Sequence, residues 1–168
     1  PALVAEVFAL PSLGYLGDFM RTVDVDALHL ARQTLRVAVG QALEDELRAT
    51  YDRLDSDAPY QPTPEAIGRR SLRNRMLGYL AVSTGSAGGE LCRLQYSAQH
   101  NMTDVMAAMS LLADSDHASR EAVLADFERR WRDDPLVMDK WFAVQAMSSR
   151  VDALDQVRRL MEHPGFSL

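Results

Sequence analysis

The side chains best suited to metal or nucleophilic chemistry are four histidines, His29, His100, His117 and His163, and a single cysteine, Cys92. A helical zinc site of the H-E-x-x-H kind needs two imidazoles three or four residues apart on one face. No two of these histidines are spaced that way. His100 and Asp104 lie four apart, but His100 precedes a helix start at Asn101-Met102-Thr103-Asp104. There asparagine caps and the acid three residues on makes a capping box with a shortened arm, so Asp104 already has a task. Cys92 has no recognisable activating histidine in sequence and reads as a small buried hydrophobe rather than a nucleophile. The run Ser83-Thr84-Gly85-Ser86-Ala87-Gly88-Gly89 has the composition of a phosphate loop. It follows a helix instead of a strand and lacks the Gly-Lys-Ser/Thr ending, so it reads as a flexible connection. On these grounds no catalytic residue and no metal ligand is assigned.

Charged groups give two further candidates. Arg69, Arg70, Arg73 and Arg75 sit on one helix, where Arg69 and Arg73 share a face; a solvated face is the expected reading, ahead of an anion site. Asp139-Lys140 interrupts an otherwise apolar helix between Met138 and Trp141, so one of the two charges is expected to be partly buried, and then either paired or exposed to an internal cavity. The acid pairs Asp24/Asp26, Asp55/Asp57, Asp114/Asp116 and Asp133/Asp134 all fall at helix ends or in loops, where carboxylates serve dipoles and turns. The methionines at 102, 106 and 109 follow a helical spacing that suits core filling.

The elements that must position these groups are helices. The 168 residues include 22 Ala and 22 Leu against one isoleucine, Ile67, and no useful segment alternates with period two. Short helices are expected over Pro1–Ala9 and from the Ser12 cap to Met20. A long one runs from Asp24 to Leu54, with Gly40 marking a kink or break. Thr63-Pro64-Glu65 is a strong start signal, cap then proline then acid, for a helix with Leu72, Met76, Leu77 and Leu80 inward, which the glycines at 85–89 end. Leu91 and Leu94 open the next, and Asn101 starts another with Val105, Met109 and Leu112 inward. Asp116 is expected to cap a helix carrying Val123, Leu124, Phe127 and Trp131. Asp134-Pro135 starts the one carrying Met138 and Trp141; Ser149 and Asp152 cap the last, which Pro164-Gly165 stops. The expectation is all-α, about eight or nine helices paired by short turns, in a single unit over residues 1–168. Such pairs close into a bundle or stack into an α-solenoid, and without a fixed repeat any solenoid is irregular.

Composition excludes several function classes. With 18 basic and 24 acidic residues the net charge is −6, and without a basic block nucleic acid is a poor partner. No apolar run is long enough to span a membrane, and the N-terminus lacks the order of a signal peptide. One cysteine excludes an internal disulfide and fits a reducing, cytoplasmic setting. Because the first residue is Pro1, the chain is expected to be processed or cut from something longer.

Three ordered segments carry a resemblance: Leu72-Arg73-Asn74-Arg75-Met76-Leu77-Gly78-Tyr79-Leu80, Asn101-Met102-Thr103-Asp104-Val105-Met106-Ala107-Ala108-Met109 and Leu136-Val137-Met138-Asp139-Lys140-Trp141-Phe142. Together with Glu44-Asp45-Glu46-Leu47, Tyr51 and the stretch from Arg158 to Phe166, they resemble the C-terminal helical domain of the bacterial aminopeptidase N family, along essentially the whole chain. The resemblance implies a HEAT- or armadillo-like α-solenoid. It also implies a parent enzyme that removes N-terminal residues from peptides with zinc held by H-E-x-x-H and a downstream glutamate, the amine being read by G-x-M-E-N. Neither motif occurs here, so this piece is expected to carry no cofactor and to be inactive by itself. Its implied partners are the catalytic domain of the same polypeptide and, through it, peptide substrates. Its implied work is to cover that domain and shape the cavity before the zinc. Asn101, Thr103, Asp104, Asp139 and Lys140 are the candidate residues for that cavity or the domain interface, with capping and an internal ion pair the equal alternative. A free-standing α-solenoid scaffold is the competing function, and a domain separated from its partner is expected to self-associate or to show a sizeable uncovered apolar patch.

Overall fold

The computed structural model describes residues 1–56 and 58–166; Asp57, one member of an acid pair above, and residues 167–168 lie outside the described residues. Ten helices and no strand occur among the described residues: α1 (Ala2–Val7), α2 (Leu13–Gly17), α3 (Val25–Ala42), α4 (Glu44–Arg53), α5 (Pro64–Ser83), α6 (Ser86–Ala98), α7 (Met102–Ala113), α8 (Arg120–Trp131), α9 (Pro135–Ala146) and α10 (Ala153–Met161). None is long and apolar enough to cross a membrane. Five of the expected starts are real caps. The side chains of Ser12, Asp24, Thr63, Asn101 and Asp134 each accept a hydrogen bond from the backbone N–H three residues on, satisfying a donor that the helix cannot. Pro64 and Pro135 occupy the first turn, where a missing N–H costs nothing. The chain gathers into two compact units, 1–88 and 89 onward.

In the first unit α5 is the centre, and α1, α3 and α4 pack on it. Leu72, Met76, Leu77, Tyr79 and Leu80 of α5 are buried with Leu47 and Tyr51 of α4 and Ala5 of α1. The Tyr79 hydroxyl donates to the Phe8 carbonyl at 2.8 Å, pinning the end of α1. The expected long helix is two, and its break lies at Leu43 (φ −121°, ψ 24°) rather than at Gly40. Gly40 instead permits close approach, since a Cβ there would lie 2.6 Å from Cβ of Ser83 on α5.

The arginine cluster is not a solvated face. Arg70 and Arg73 are 7% and 8% exposed. Arg70 lies over the Tyr60 ring and donates to the Gln61 carbonyl; Arg73 lies over the Tyr51 ring and pairs with Asp55 at 2.9 Å. Their stems supply apolar contact while flat guanidiniums stack on aromatic faces, which sequence spacing on one helix cannot foresee.

In the second unit, helices adjacent in sequence pack on one another, α7 on α8, α8 on α9 and α9 on α10. Phe127, Met109, Leu112, Ala108, Val105, Leu124, Met138, Trp141 and Leu160 form its core. The Trp141 indole N–H donates to the Leu124 carbonyl at 2.9 Å, tying α9 to α8. α6 starts at Ser86, not at Leu91: Gly85 alone takes the turn, with φ +57°, and the other glycines of that run are helical. Three expected capping residues do not cap. α8 begins at Arg120 and Asp116 pairs with Arg150 instead. The Asp152 side chain makes no cap bond to α10 and pairs with Arg150 at 2.9 Å, while Ser149 donates its N–H and hydroxyl to Asp114. A guanidinium within reach outcompetes a neutral backbone N–H for a carboxylate.

Candidate functional site

The turn between α6 and α7 gathers three of the five candidate residues. Asn101 Oδ1 accepts from the Asp104 N–H at 3.0 Å, and Asn101 Nδ2 donates to Asp104 Oδ2 at 2.7 Å. The two side chains therefore close a reciprocal ring, with Asp104 buried and Asn101 half-buried. This differs from a standard capping box, where the acid reaches the cap's backbone N–H; the shorter aspartate reaches the cap's side-chain amide. Gln95 of α6, also buried, donates through Nε2 to the Asp104 carbonyl at 3.0 Å, fastening α6 to the first turn of α7. Gln99 adopts φ +52° and donates its side-chain amide to the Tyr96 carbonyl, completing the reversal. Thr103 points outward and is exposed.

Asp139 and Lys140 do not form the internal pair expected of them. Both are exposed, and Lys140 Nζ donates to the Leu136 carbonyl at 3.1 Å, one turn back on α9. The apolar neighbours do not share one face: Met138 and Trp141 are buried, while Leu136 is exposed, so α9 turns residues 139 and 140 to water.

Spacing did not reveal a second network in this unit. Tyr96 of α6 donates its hydroxyl to Asp126 Oδ2 of α8 at 2.9 Å, and Arg130 Nε meets the same oxygen at 2.6 Å, while Arg129 takes the other oxygen. Burial works against ionising Asp126, but the hydrogen bonds from Arg130, Tyr96 and Arg129 outweigh it and hold the carboxyl below the usual aspartate value. Burial first, and then the bond to the Asp126 carboxylate, push the Tyr96 hydroxyl well up, so it stays a donor. An i, i+4 acid–arginine pair on α8 was legible; that a tyrosine 30 residues earlier completes it was not.

Neither arrangement offers reaction chemistry. The Asp104 carboxylate is tied to the Asn101 amide and Asp126 takes three donors, and burial pushes the Cys92 thiol up to about 12, which makes it a core group and no nucleophile. Among the described residues no three His, Cys, Asp or Glu side chains are grouped so as to hold a metal ion. The ring of His117 lies against Gly89, and His163 Nε2 meets Glu128 at 3.3 Å while its Nδ1 accepts from the Gly165 N–H. The site is therefore a set of fastened turns and helix ends, fit to hold a surface in shape.

Residues 1–168 match the family model described as "Domain of unknown function (DUF3458_C) ARM repeats". The chain is 34% identical to aminopeptidase N of Haemophilus influenzae over 98% of its own length, 33% identical to that of Escherichia coli over 100%, and 36% identical to that of Caulobacter vibrioides over 99%. In each case it spans 19% of the relative. Among solved structures it is similar to Legionella pneumophila aminopeptidase A, crystallised in complex with aspartic acid. There the TM-score is 0.86 and the identity 26%, over 99% of this chain and 20% of that one. The all-helical fold fits an ARM-repeat family, and in the second unit helices adjacent in sequence pack on one another as such repeats do.

Proposed function

The chain belongs to the DUF3458_C ARM-repeat family, and from that premise we propose that it is a non-catalytic helical domain of a zinc aminopeptidase, lying C-terminal to the catalytic domain in one polypeptide. The observation that carries this reading is the proportion of the matches: the whole of this chain aligns with about a fifth of each aminopeptidase N. A relation of that shape is the one expected between a domain and a multidomain enzyme. The domain covers the catalytic domain, narrows the approach to its metal and so admits peptides while excluding folded proteins. Zinc belongs to the catalytic partner, because the donor set needed to hold it is missing from the described residues of this chain. The setting we propose is cytoplasmic.

Uncovered apolar surface supports a covering partner. In the first unit Tyr15 and Phe19 stack edge to face at 5.0 Å, yet both are more than half exposed. Beside them lies an apolar hollow of about 270 Å³ lined by Leu13, Val23, Val25 and Leu28. In the second unit Met147, Val151 and Leu154 are exposed around the start of α10. Apolar groups gathered in this way favour burial against another surface.

The test is a peptidase assay with added zinc, on this chain and on the complete reading frame that contains it. Cleavage of an N-terminal residue by the complete product, with H-E-x-x-H upstream of Pro1 and no turnover by residues 1–168, is the expected result. Turnover by residues 1–168, or a start codon immediately before Pro1, would sink the proposal; the latter would leave a free-standing scaffold.

A further inference from the structure

Three guanidiniums converge on a small pocket of the first unit, where Arg32 and Arg36 of α3 face Arg75 of α5, with Phe8, Leu10 and Tyr79 closing the walls. Among the described residues no acidic side chain lines it. Two of the three arginines are held in place by carbonyls: Arg32 Nε donates to Pro11 at 2.9 Å, and an Arg36 terminal nitrogen donates to Gly78 at 3.0 Å. Arg75 differs. Its Nε is buried and has no hydrogen-bond partner among the described residues. A buried guanidinium donor left unmade is costly, and an oxyanion seated in the hollow would be favoured beside it. The volume, about 40 Å³, is roughly three times the least that holds one water molecule. That room suits a single carboxylate or phosphate head and is too small for a nucleoside.

We propose that the Arg32–Arg36–Arg75 pocket binds a small oxyanion, a carboxylate or phosphate group, through the forked donors of its guanidiniums. The inference stands on the first unit's own geometry and does not depend on the function proposed above. The occupying group comes either as a free ion or as a carboxylate carried by a peptide, and the two differ in shape. The tetrahedral ion presents three oxygens to three arginines; the planar one presents two.

Phosphate and acetate are each titrated into the full chain while arginine Nε–H signals are followed by proton–nitrogen correlation spectra, with chloride holding ionic strength constant. The expected result is a saturable shift of the Arg75 Nε–H signal. Arg32→Gln and Arg75→Gln should each weaken binding about tenfold, equivalent to about 1.4 kcal/mol. Arg48→Gln, which removes an exposed pair with Asp52 elsewhere in the unit, should bind as the native chain does. Tighter phosphate marks a free tetrahedral ion, and tighter acetate marks a peptide carboxylate. Where Arg75→Gln does not fold, Arg32→Gln decides, because its side chain is only half-buried. Absence of saturation with either anion, or native affinity in the Arg32→Gln variant, overturns the proposal.

Discussion

Replacing Asn101 by alanine removes both halves of the ring that starts α7. The first loss is the cap bond to the Asp104 N–H, 3.0 Å long in the structure; such caps contribute about 1 kcal/mol. The second is the amide donor to the Asp104 carboxylate at 2.7 Å. A hydrogen bond to a charged group contributes about 1.5–3 kcal/mol, and Asn101 is half-buried, so the low end applies. The variant should therefore lose about 2.5 kcal/mol, seen as a urea midpoint about 1 M lower when helix content is followed by circular dichroism. Two further substitutions separate the contributions. Asn101→Ser keeps the acceptor and should recover about 1 kcal/mol. Asn101→Asp also keeps the acceptor but sets a second carboxylate against Asp104, so at pH 7 it should be less stable than Asn101→Ser. A midpoint for Asn101→Ala within about 0.5 kcal/mol of the native chain would refute the reasoning, because that is the range of an unconstrained surface change.

Two other outcomes follow from the titrating groups of the second unit. Because the folded state holds the Asp126 carboxyl below its unfolded value of about 3.9, its contribution is present above that pH and is lost as pH falls through the lower folded value. Asp126→Asn should accordingly flatten the acid limb of a plot of urea midpoint against pH, and an unchanged limb would contradict the Arg130–Asp126–Tyr96 account. For Cys92 the sign is opposite. Its raised thiol stabilises the fold fully below the unfolded value of about 8.5 and progressively less as pH climbs toward the folded one. A thiol reagent at pH 8 should leave the native chain unlabelled and react fully in urea, and rapid native labelling would contradict burial.

Much of the candidate site was legible because its signal is local. Asn101 and Asp104 are three residues apart, and a cap needs nothing beyond its own first turn, so residue type and spacing sufficed. The same is true of Thr63-Pro64 and Asp134-Pro135. Where a second element supplies the partner, spacing was silent or misleading. Gln95 meets Asp104 across a turn, and Tyr96 meets Asp126 across 30 residues. Asp116 and Asp152 look like caps in sequence, but Arg150 draws both away. Asp139 looks buried among apolar neighbours, yet the helix turns it to solvent.

The amino-acid order by itself determined that the chain is helical, where five helices begin and which faces of α5 and α7 are buried, though Leu154 and Met161 of α10, expected inward, are exposed. Those are consequences of torsional preference, capping and a period of 3.6 residues, all of which act within one turn or two. The tertiary arrangement decided which charges are buried. Arg70 and Arg73 lie under cover because Tyr60 and Tyr51 are brought to them from outside their own helix, and Arg75 lines a pocket only because α3 approaches α5 closely at Gly40. A charged side chain's environment is set by whatever packs against it, and that partner comes from a sequence distance no local pattern records.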